Sequence, residues 1–456
     1  MSAREVDVVV VGGGPAGEVA AGRLADGGLA VALAEAELVG GECSYWACMP
    51  SKALLRPAEL LAEVRRVPGL PVGDELDVDR ILARRDEVIH DLDDSTQLPW
   101  LEKRDITLLR GHAEIVGERR VRIGDEELTA RRAVVIATGS GSAMPPIDGL
   151  ADVGAWSNRE VTTAKTVPES LLILGGGVVG VEMAQAWCSL GTEVTVVEGM
   201  ERILANEEEF ASDQVAAALR DRGVAIRTGA KATAARRGGT ADTVVLEIEG
   251  DDELEAARLL VAVGRKARVD GLGLESVGAG TDGEPLEVDE RMRVGGREWL
   301  YAIGDVNGRA QLTHMGKYQA RVATENILGR EAVARADDER SPRVVFSDPE
   351  VAAVGYTLAG AREAGLNVTP VDVATAGTAG ASFHGRNADG TSRLVIDDDR
   401  RVIVGATFVG PDANELIHAA TIAVSAAVPV DALVDAVPVF PTRNEIWLNL
   451  LQEYGL

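Results

Sequence analysis

Two glycine runs, each set between an apolar strand pattern and a helical one, restrict what this chain can become more than any other feature. Residues 6–11 (VDVVVV) lead into GGGPAG at 12–17, an Ala-rich helix to about Asp26 and a second strand over 29–34. The same grammar returns at 171–197 in LLILGGGVVGVEMAQAWCSLGTEVTVV. Gly12, Gly14 and Gly17, and then Gly175, Gly177 and Gly180, fit G-x-G-x-x-G. In that pattern the missing side chains permit a tight turn, the approach of backbone to a pyrophosphate, and close packing of helix on strand. Glu35 and Glu198 end the second strand of each unit, placed to accept hydrogen bonds from ribose hydroxyls. Two dinucleotide-binding folds are therefore expected. An acid at position 198 bonds a free 2′-hydroxyl and repels a 2′-phosphate, which favours NADH over NADPH. Arg202, four residues on, reads as a solvated side chain rather than a phosphate ligand.

The remaining chain is arranged around these units. At 456 residues it exceeds the size at which one core keeps growing, so two or three domains are expected in an α/β architecture. A helical stretch with charged faces over 52–104 and the strand run AVVIATGS at 133–140 extend the first unit. After the second, VAVGRKAR at 261–268 and YAIGDV at 301–306 read as strands ending in turns, followed by a helix from about His314 to Leu328. A linker over 330–343 precedes a last domain, whose β-branched runs and helical segments at 413–427 and 444–453 predict an antiparallel sheet with helices on one side.

Acidic residues number 73 against 46 basic ones, a net charge of −27 that repels nucleic-acid phosphates and anionic membrane surfaces. The first apolar stretch is too short to span a bilayer and has no basic leader or small-residue cleavage site, so a cytoplasmic protein is expected. Three cysteines are too few for a secreted disulfide framework, which directs attention to chemistry at any that pair. Cys188, on a helical pattern, reads as packing. Cys43 and Cys48 lie five apart in GGECSYWACMPSK at 40–52, an awkward offset for one helical face. Joining them needs a distorted helix start, expected at about residue 52, which would aim backbone N–H groups at the sulfurs and lower the thiol pKa. The other readings are two inert buried cysteines or a zinc site, for which no further ligand cluster has the spacing.

With these motifs in place the sequence resembles, over essentially its entire length, the class I pyridine nucleotide–disulfide oxidoreductases. This is the family of glutathione reductase, dihydrolipoamide dehydrogenase and mercuric reductase. The anchors are GGGPAG, C-x4-C-x-P-S-K, ATG at 137–139, the second glycine motif with Glu182, AVGRKAR at 262–268, AIGD at 302–305 and VVFSDPEVAAVGYT at 344–357. The resemblance implies an FAD domain over 1–151 and 268–337, an NAD domain over 152–267, and a C-terminal interface domain over 338–456 that forms a homodimer. It assigns Gly12, Gly14, Gly17 and Glu35 to the FAD adenosine half, with Thr138 and Gly139 in support. Asp305 falls to the ribityl chain, and the helix starting near His314 to the flavin ring. Pro15, Ala16, Gly41, Ala113, Gly304 and Met315 complete the FAD set, while Gly175, Gly177, Val179, Gly180, Glu198 and Gly264 would hold NAD. Lys52 would pair with Glu182 where hydride arrives. The cysteines would form the redox disulfide, Cys48 facing flavin and Cys43 attacking a small-molecule substrate.

One position breaks the pattern. The reductases of this family carry H-P-T-x-x-E near the C-terminus, whose His relays protons to the attacking thiol; here FPTRNE at 440–445 places Phe440 at the His while Glu445 remains. Loss of the imidazole removes a contribution on the order of 10²–10⁴ in rate. Phe440 makes this chain similar to 2-ketopropyl-coenzyme M oxidoreductase/carboxylase, which keeps protons from a carbanion. In an apolar pocket Glu445 would itself hold a proton to donate. A low-turnover flavin redox sensor is the third reading. The ending LLQEYGL carries no cysteine pair, which disfavours mercuric reductase and the large thioredoxin reductases. His384 and His418 are read as surface or interface residues.

Overall fold

The structure, a computed structural model, describes residues 4–69, 73, 75–239, 243–250, 252–386 and 388–456. The chain divides into two compact units: the segments up to Pro50, Asp86–Ala143 and Arg265–Asp338, and the segments Ser51–Arg85, Met144–Gly264 and Glu339–Leu456.

In the first unit, strand Arg4–Val11 pairs in parallel with Val31–Glu35 and with the last part of the long strand Glu126–Ile136. Thr107–Arg110 extends the sheet beyond Val31–Glu35, and Leu300–Ala302 extends it beyond Glu126–Ile136. The early half of Glu126–Ile136 leaves this sheet and pairs antiparallel with Arg120–Ile123, which pairs with Ala113–Gly117. Val8, Val9 and Val10 are all fully buried because both faces of a parallel sheet are covered, so the strand reads as a continuous apolar run. On one face Val8 and Val10 pack with Ala20, Ala21 and Leu24 of helix Pro15–Asp26 and with Ala320 and Ala323 of helix Thr313–Ile327. A Cβ at Gly316 would stand 3.2 Å from that of Ala16, so these helices touch through their smallest residues.

In the second unit, Ser170–Leu174 is the middle of a parallel sheet ordered Ala225–Arg227, Glu193–Val197, Ser170–Leu174, Arg258–Val261. An antiparallel sheet of Ala232–Arg237, Val244–Ile248 and Asp252–Ala256 accompanies it. The C-terminal segment forms the expected antiparallel sheet, five strands ordered Arg343–Val345, Val351–Gly355, Val402–Val409, Thr391–Asp397, Val368–Ala374. Every residue of Val402–Val409 is buried. Helices Ala413–Ser425 and Ile446–Glu453 cover the sheet through Leu416, Ile417, Ala420, Trp447 and Leu450. Buried charge joins segments within this unit: Asp348 receives the guanidinium groups of both Arg66 and Arg222, Arg343 meets Glu207 at 2.7 Å, and Arg393 meets Glu208 at 2.9 Å.

Two sequence expectations shift. The stretch over 52–104 is three α-helices, Cys48–Arg66, Val78–Val88 and Leu98–Glu102, with residues 70–72 and 74 outside the described residues. The first begins at Cys48 rather than near residue 52. Pro50 does not prevent this, because the first-turn N–H it lacks has no helical partner in any case. Among the described residues no helix is long and apolar enough to cross a membrane.

Candidate functional site

The first glycine loop is dictated by backbone contacts. At Gly12, whose φ is +103°, a Cβ would stand 2.4 Å from the Ala137 carbonyl oxygen, and at Gly17 one would stand 1.8 Å from that of Gly12. Gly14 precedes helix Pro15–Asp26 with no side-chain cap, so the N–H groups of the first turn, which opens with Pro15 and Ala16, are left for a ligand. Gly41 closes against this loop: a Cβ there would lie 2.8 Å from the Gly14 Cα. Glu35 accepts the Gly13 N–H at 2.6 Å through Oε2 and the Glu37 N–H at 2.7 Å through Oε1, which fixes its carboxylate beside the loop. Its register partner is Arg110, and the buried Ala113 follows that strand. Thr138 donates to the Arg268 carbonyl at 2.7 Å, and Gly139 adopts a φ of +72°. Gly304 donates its N–H to Gln319 at 2.7 Å, and Asp305 accepts the Ser140 hydroxyl at 2.5 Å with Arg265 at 3.7 Å. His314, exposed, and Met315, buried, lie in the first turn of helix Thr313–Ile327. Glycines that admit backbone contact, an uncapped helix start and a fixed carboxylate together fit a dinucleotide such as FAD.

The second loop repeats the first. A Cβ at Gly175 would stand 2.4 Å from the Ala262 carbonyl oxygen and one at Gly180 would stand 2.0 Å from that of Gly175. Glu198 accepts the Gly176 N–H at 2.6 Å and the Met200 N–H at 2.7 Å, the same two bonds that hold Glu35. Gly177 heads helix Val178–Ser189 uncapped, with open space around its Cβ position, and Gly264 is likewise open. Val178, Val179, Met200 and Val263, all exposed, follow the C-terminal ends of the parallel strands. Arg202 is not solvated: it donates to the carbonyls of Ala205 at 2.8 Å and Glu207 at 3.0 Å and so braces its own loop.

Cys43 and Cys48, both half-buried, meet side chain to side chain in the first unit. The hydrogen bond to Cys48 and burial push the Cys43 thiol well above its ordinary range, against the expected lowering; Thr313 and Lys317 pull it the other way. Cys48 Sγ lies 3.4 Å from the Thr313 hydroxyl. Arg268, at 2.7 Å, anchors the adjacent Glu42.

In the second unit Lys52 and Glu182 form the expected ion pair at 2.7 Å, with Glu182 buried. The Glu182 Oε1 also accepts the Phe346 N–H at 3.1 Å, and the Lys52 ammonium sits 4.5 Å above the Phe346 ring. Phe440 is 73% exposed. Glu445 lies half-buried, accepting the Gly380 N–H at 3.3 Å. An open cleft of about 380 Å³ beside this loop is lined by Phe383, His384, Asp412 and Arg443 among others, with His384 3.4 Å from Asp412. His418 is exposed, and the Cys188 thiol donates to the Arg222 carbonyl at 3.2 Å.

Sequence reasoning missed Thr313, Ser140, Arg265, Arg268 and Gln319 as site residues. The last four are held by contacts between distant segments that no local pattern announces.

Two nucleotide loops on parallel sheets, a thiol pair in contact and a Lys–Glu ion pair with its carboxylate buried are the parts of a flavoprotein dithiol oxidoreductase. The chain belongs to the pyridine nucleotide-disulphide oxidoreductase family: residues 6–320 match its family model and residues 341–450 that of the family's dimerisation domain. It is 35% identical over 446 residues to dihydrolipoyl dehydrogenase of Thermus scotoductus, covering 96% of this chain and 95% of that enzyme. A solved Cu(II) complex of the HOCl-induced flavoprotein disulfide reductase RclA from Escherichia coli superposes with a TM-score of 0.87 at 27% identity, covering 98% of this chain and 99% of that one. LpdA from Mycobacterium tuberculosis does so at 0.87 and 25% identity, covering 99% and 100%. The protein is thus an NAD(P)H-dependent flavoprotein disulfide oxidoreductase that uses FAD and a pyridine nucleotide.

Proposed function

We propose that this enzyme passes electrons from NADH through FAD to Cys43 and Cys48 and on to a small disulfide. The observation that carries the reading is the direct contact of the two thiols, with Thr313 at Cys48. When bound, FAD accepts hydride and delivers an electron pair to a disulfide. The chain's own residues do the rest. Gly12, Gly14, Gly17 and Glu35 bind the first nucleotide; Gly175, Gly177, Gly180 and Glu198 bind the second. Lys52, oriented by Glu182, supplies positive charge for hydride transfer. Cys48 carries the thiolate, and Cys43 attacks the substrate. Glu198 favours NADH by accepting a ribose hydroxyl, and Arg202, which could meet a 2′-phosphate, is instead turned to the carbonyls of Ala205 and Glu207.

The three-domain division of the sequence reading is retained, as is a cytoplasmic homodimer. Exposed Val437, Val439 and Phe440 within the stretch matching the dimerisation model give such an interface apolar surface to bury. Phe440 favours a second reading, an acceptor that requires no proton from an enzyme imidazole. A metal ion is one, and RclA is known as a Cu(II) complex; the proton-excluding cleavage of the ketopropyl type is another. NADH oxidation measured anaerobically against lipoamide, glutathione disulfide, cystine and Cu(II) separates these. Rapid turnover with one disulfide supports the first reading. Turnover with Cu(II) alone supports the second, and bleaching of the flavin with no acceptor consumed sinks both.

A further inference from the structure

With phenylalanine in place of the proton-relaying histidine, the charge that a thiol pair must carry during exchange needs another counterpart. The chemistry is balanced without imidazole. The Cys43 thiolate attacks one substrate sulfur, forming a mixed disulfide and expelling a thiolate; the Cys48 thiolate then attacks the Cys43 sulfur, expelling the second thiolate and closing the Cys43–Cys48 bond. The two protons lost by the pair are matched by two taken from water by the expelled thiolates, and the electrons that reopen the disulfide come from the pyridine nucleotide. What this sequence needs from the protein is a fixed cation near the pair.

Helix Thr313–Ile327 is placed to provide one. Thr313, 3.4 Å from Cys48, begins it, and Lys317 follows four residues on, on the same helical face. The crossing of this helix with Pro15–Asp26 is fixed by the contact of Gly316 with Ala16, so Lys317 cannot move off with its helix. Lys317 is exposed and, among the described residues, has no salt-bridge partner. The other charged or titratable groups around the pair are accounted for. Glu42 is held by Arg268, Tyr45 donates to the Val39 carbonyl, His314 is exposed at the helix start, and Glu18 of the facing helix is half-buried. Both Glu18, pushed up to about 7 by burial, and Cys43 feel the Lys317 charge.

We propose that Lys317 is the charge-compensating residue of the thiol pair, offsetting the negative charge of the exchange where other members of the family have an imidazole. The inference rests on the disulfide-exchange reading above. It predicts how the reactivity of Cys43 depends on pH, measured as iodoacetamide alkylation of the NADH-reduced holoenzyme, with the modified peptide located by mass spectrometry. Lys317→Met should raise the midpoint of the alkylation profile by roughly one unit, or about tenfold slower labelling below it. Lys317→Arg should restore it, which a merely structural role for the side chain would not require. Arg321→Gln, one turn further along the same face, should leave it in place. An unmoved midpoint in Lys317→Met, or an equal shift in Arg321→Gln, overturns the proposal. If NADH exposes no alkylatable cysteine in the wild-type enzyme, the exchange reading has failed and this inference with it; if it does and only the Lys317 profile is flat, the inference alone has failed.

Discussion

Glu350 offers a prediction whose size follows from its surroundings. It stands just before strand Val351–Gly355, 6% exposed, with Oε2 accepting the Asn414 N–H at 3.1 Å. Burial, opposed by that bond, pushes its carboxyl up from 4.5 to about 7. The folded state therefore holds the proton more tightly than the unfolded chain. Stability contributed by the protonated group is fully present below pH 4.5 and is lost as pH rises through the interval to about 7. At 1.36 kcal/mol per unit, the ionised group costs about 3 kcal/mol above pH 7 and roughly 1 kcal/mol at pH 5. Glu350→Gln keeps an oxygen for the Asn414 amide but never ionises. The variant should be more stable than wild type by about 3 kcal/mol at pH 8, shrinking to about 1 kcal/mol at pH 5. Urea unfolding at both pH values, followed through Trp447 in the adjoining core, measures the difference in midpoint. Equal differences at the two pH values, or a variant less stable at pH 8, would refute the reasoning.

Two further outcomes test the nucleotide loops. Gly17→Ala places a methyl 1.8 Å from the Gly12 carbonyl oxygen, a backbone atom that cannot swing aside. The variant should lose the usual 1–3 kcal/mol of overpacking or about that and more, and purify without bound flavin; a yellow, normally stable protein would contradict this. Glu198→Ala removes a charged acceptor worth about 1.5–3 kcal/mol to a ribose hydroxyl. The ratio of kcat/KM for NADH over NADPH should fall on the order of 10- to 100-fold in steady-state assays, and an unchanged ratio would show that Glu198 does not set the preference.

The nucleotide loops were legible in the sequence because their requirements are local. Gly17 must be glycine on account of Gly12, five residues away, and Glu35 ends a strand whose length is fixed by the unit. The C-terminal sheet was legible for a similar reason, since apolar runs such as 402–409 are buried on both faces. The cysteine spacing announced a pair but not its electrostatics. The Cys43 thiol rises chiefly because its hydrogen-bond partner is another thiol, and the hydroxyl beside Cys48 belongs to Thr313, 265 positions along the chain. Arg202 was misread because nothing in its neighbours' identities shows that the loop after Glu198 turns its carbonyls toward it. Asp348, shared by Arg66 and Arg222, was invisible for the same reason: three segments meet there, and only the fold brings them together.

The two glycine loops, so alike in sequence and in the bonds made by their glutamates, differ in enclosure, and that difference bears on what each can hold. Gly41 backs directly onto Gly14, and the helix beyond is packed against a second helix through Ala16 and Gly316. A dinucleotide seated there would meet packed backbone on the side of Gly41, and the more of a ligand's surface is buried, the slower it leaves. Around Gly177 no atom beyond its chain neighbours lies within 4 Å of the Cβ position, and Val178, Val179, Met200 and Val263 stand exposed past the C-terminal ends of the strands. A nucleotide bound there would meet those exposed side chains while staying open to solvent on one side, which would let it leave at each turnover. On the proposed function, the same recognition chemistry would serve a retained cofactor in one unit and an exchanging one in the other, with the residues flanking each motif making the distinction.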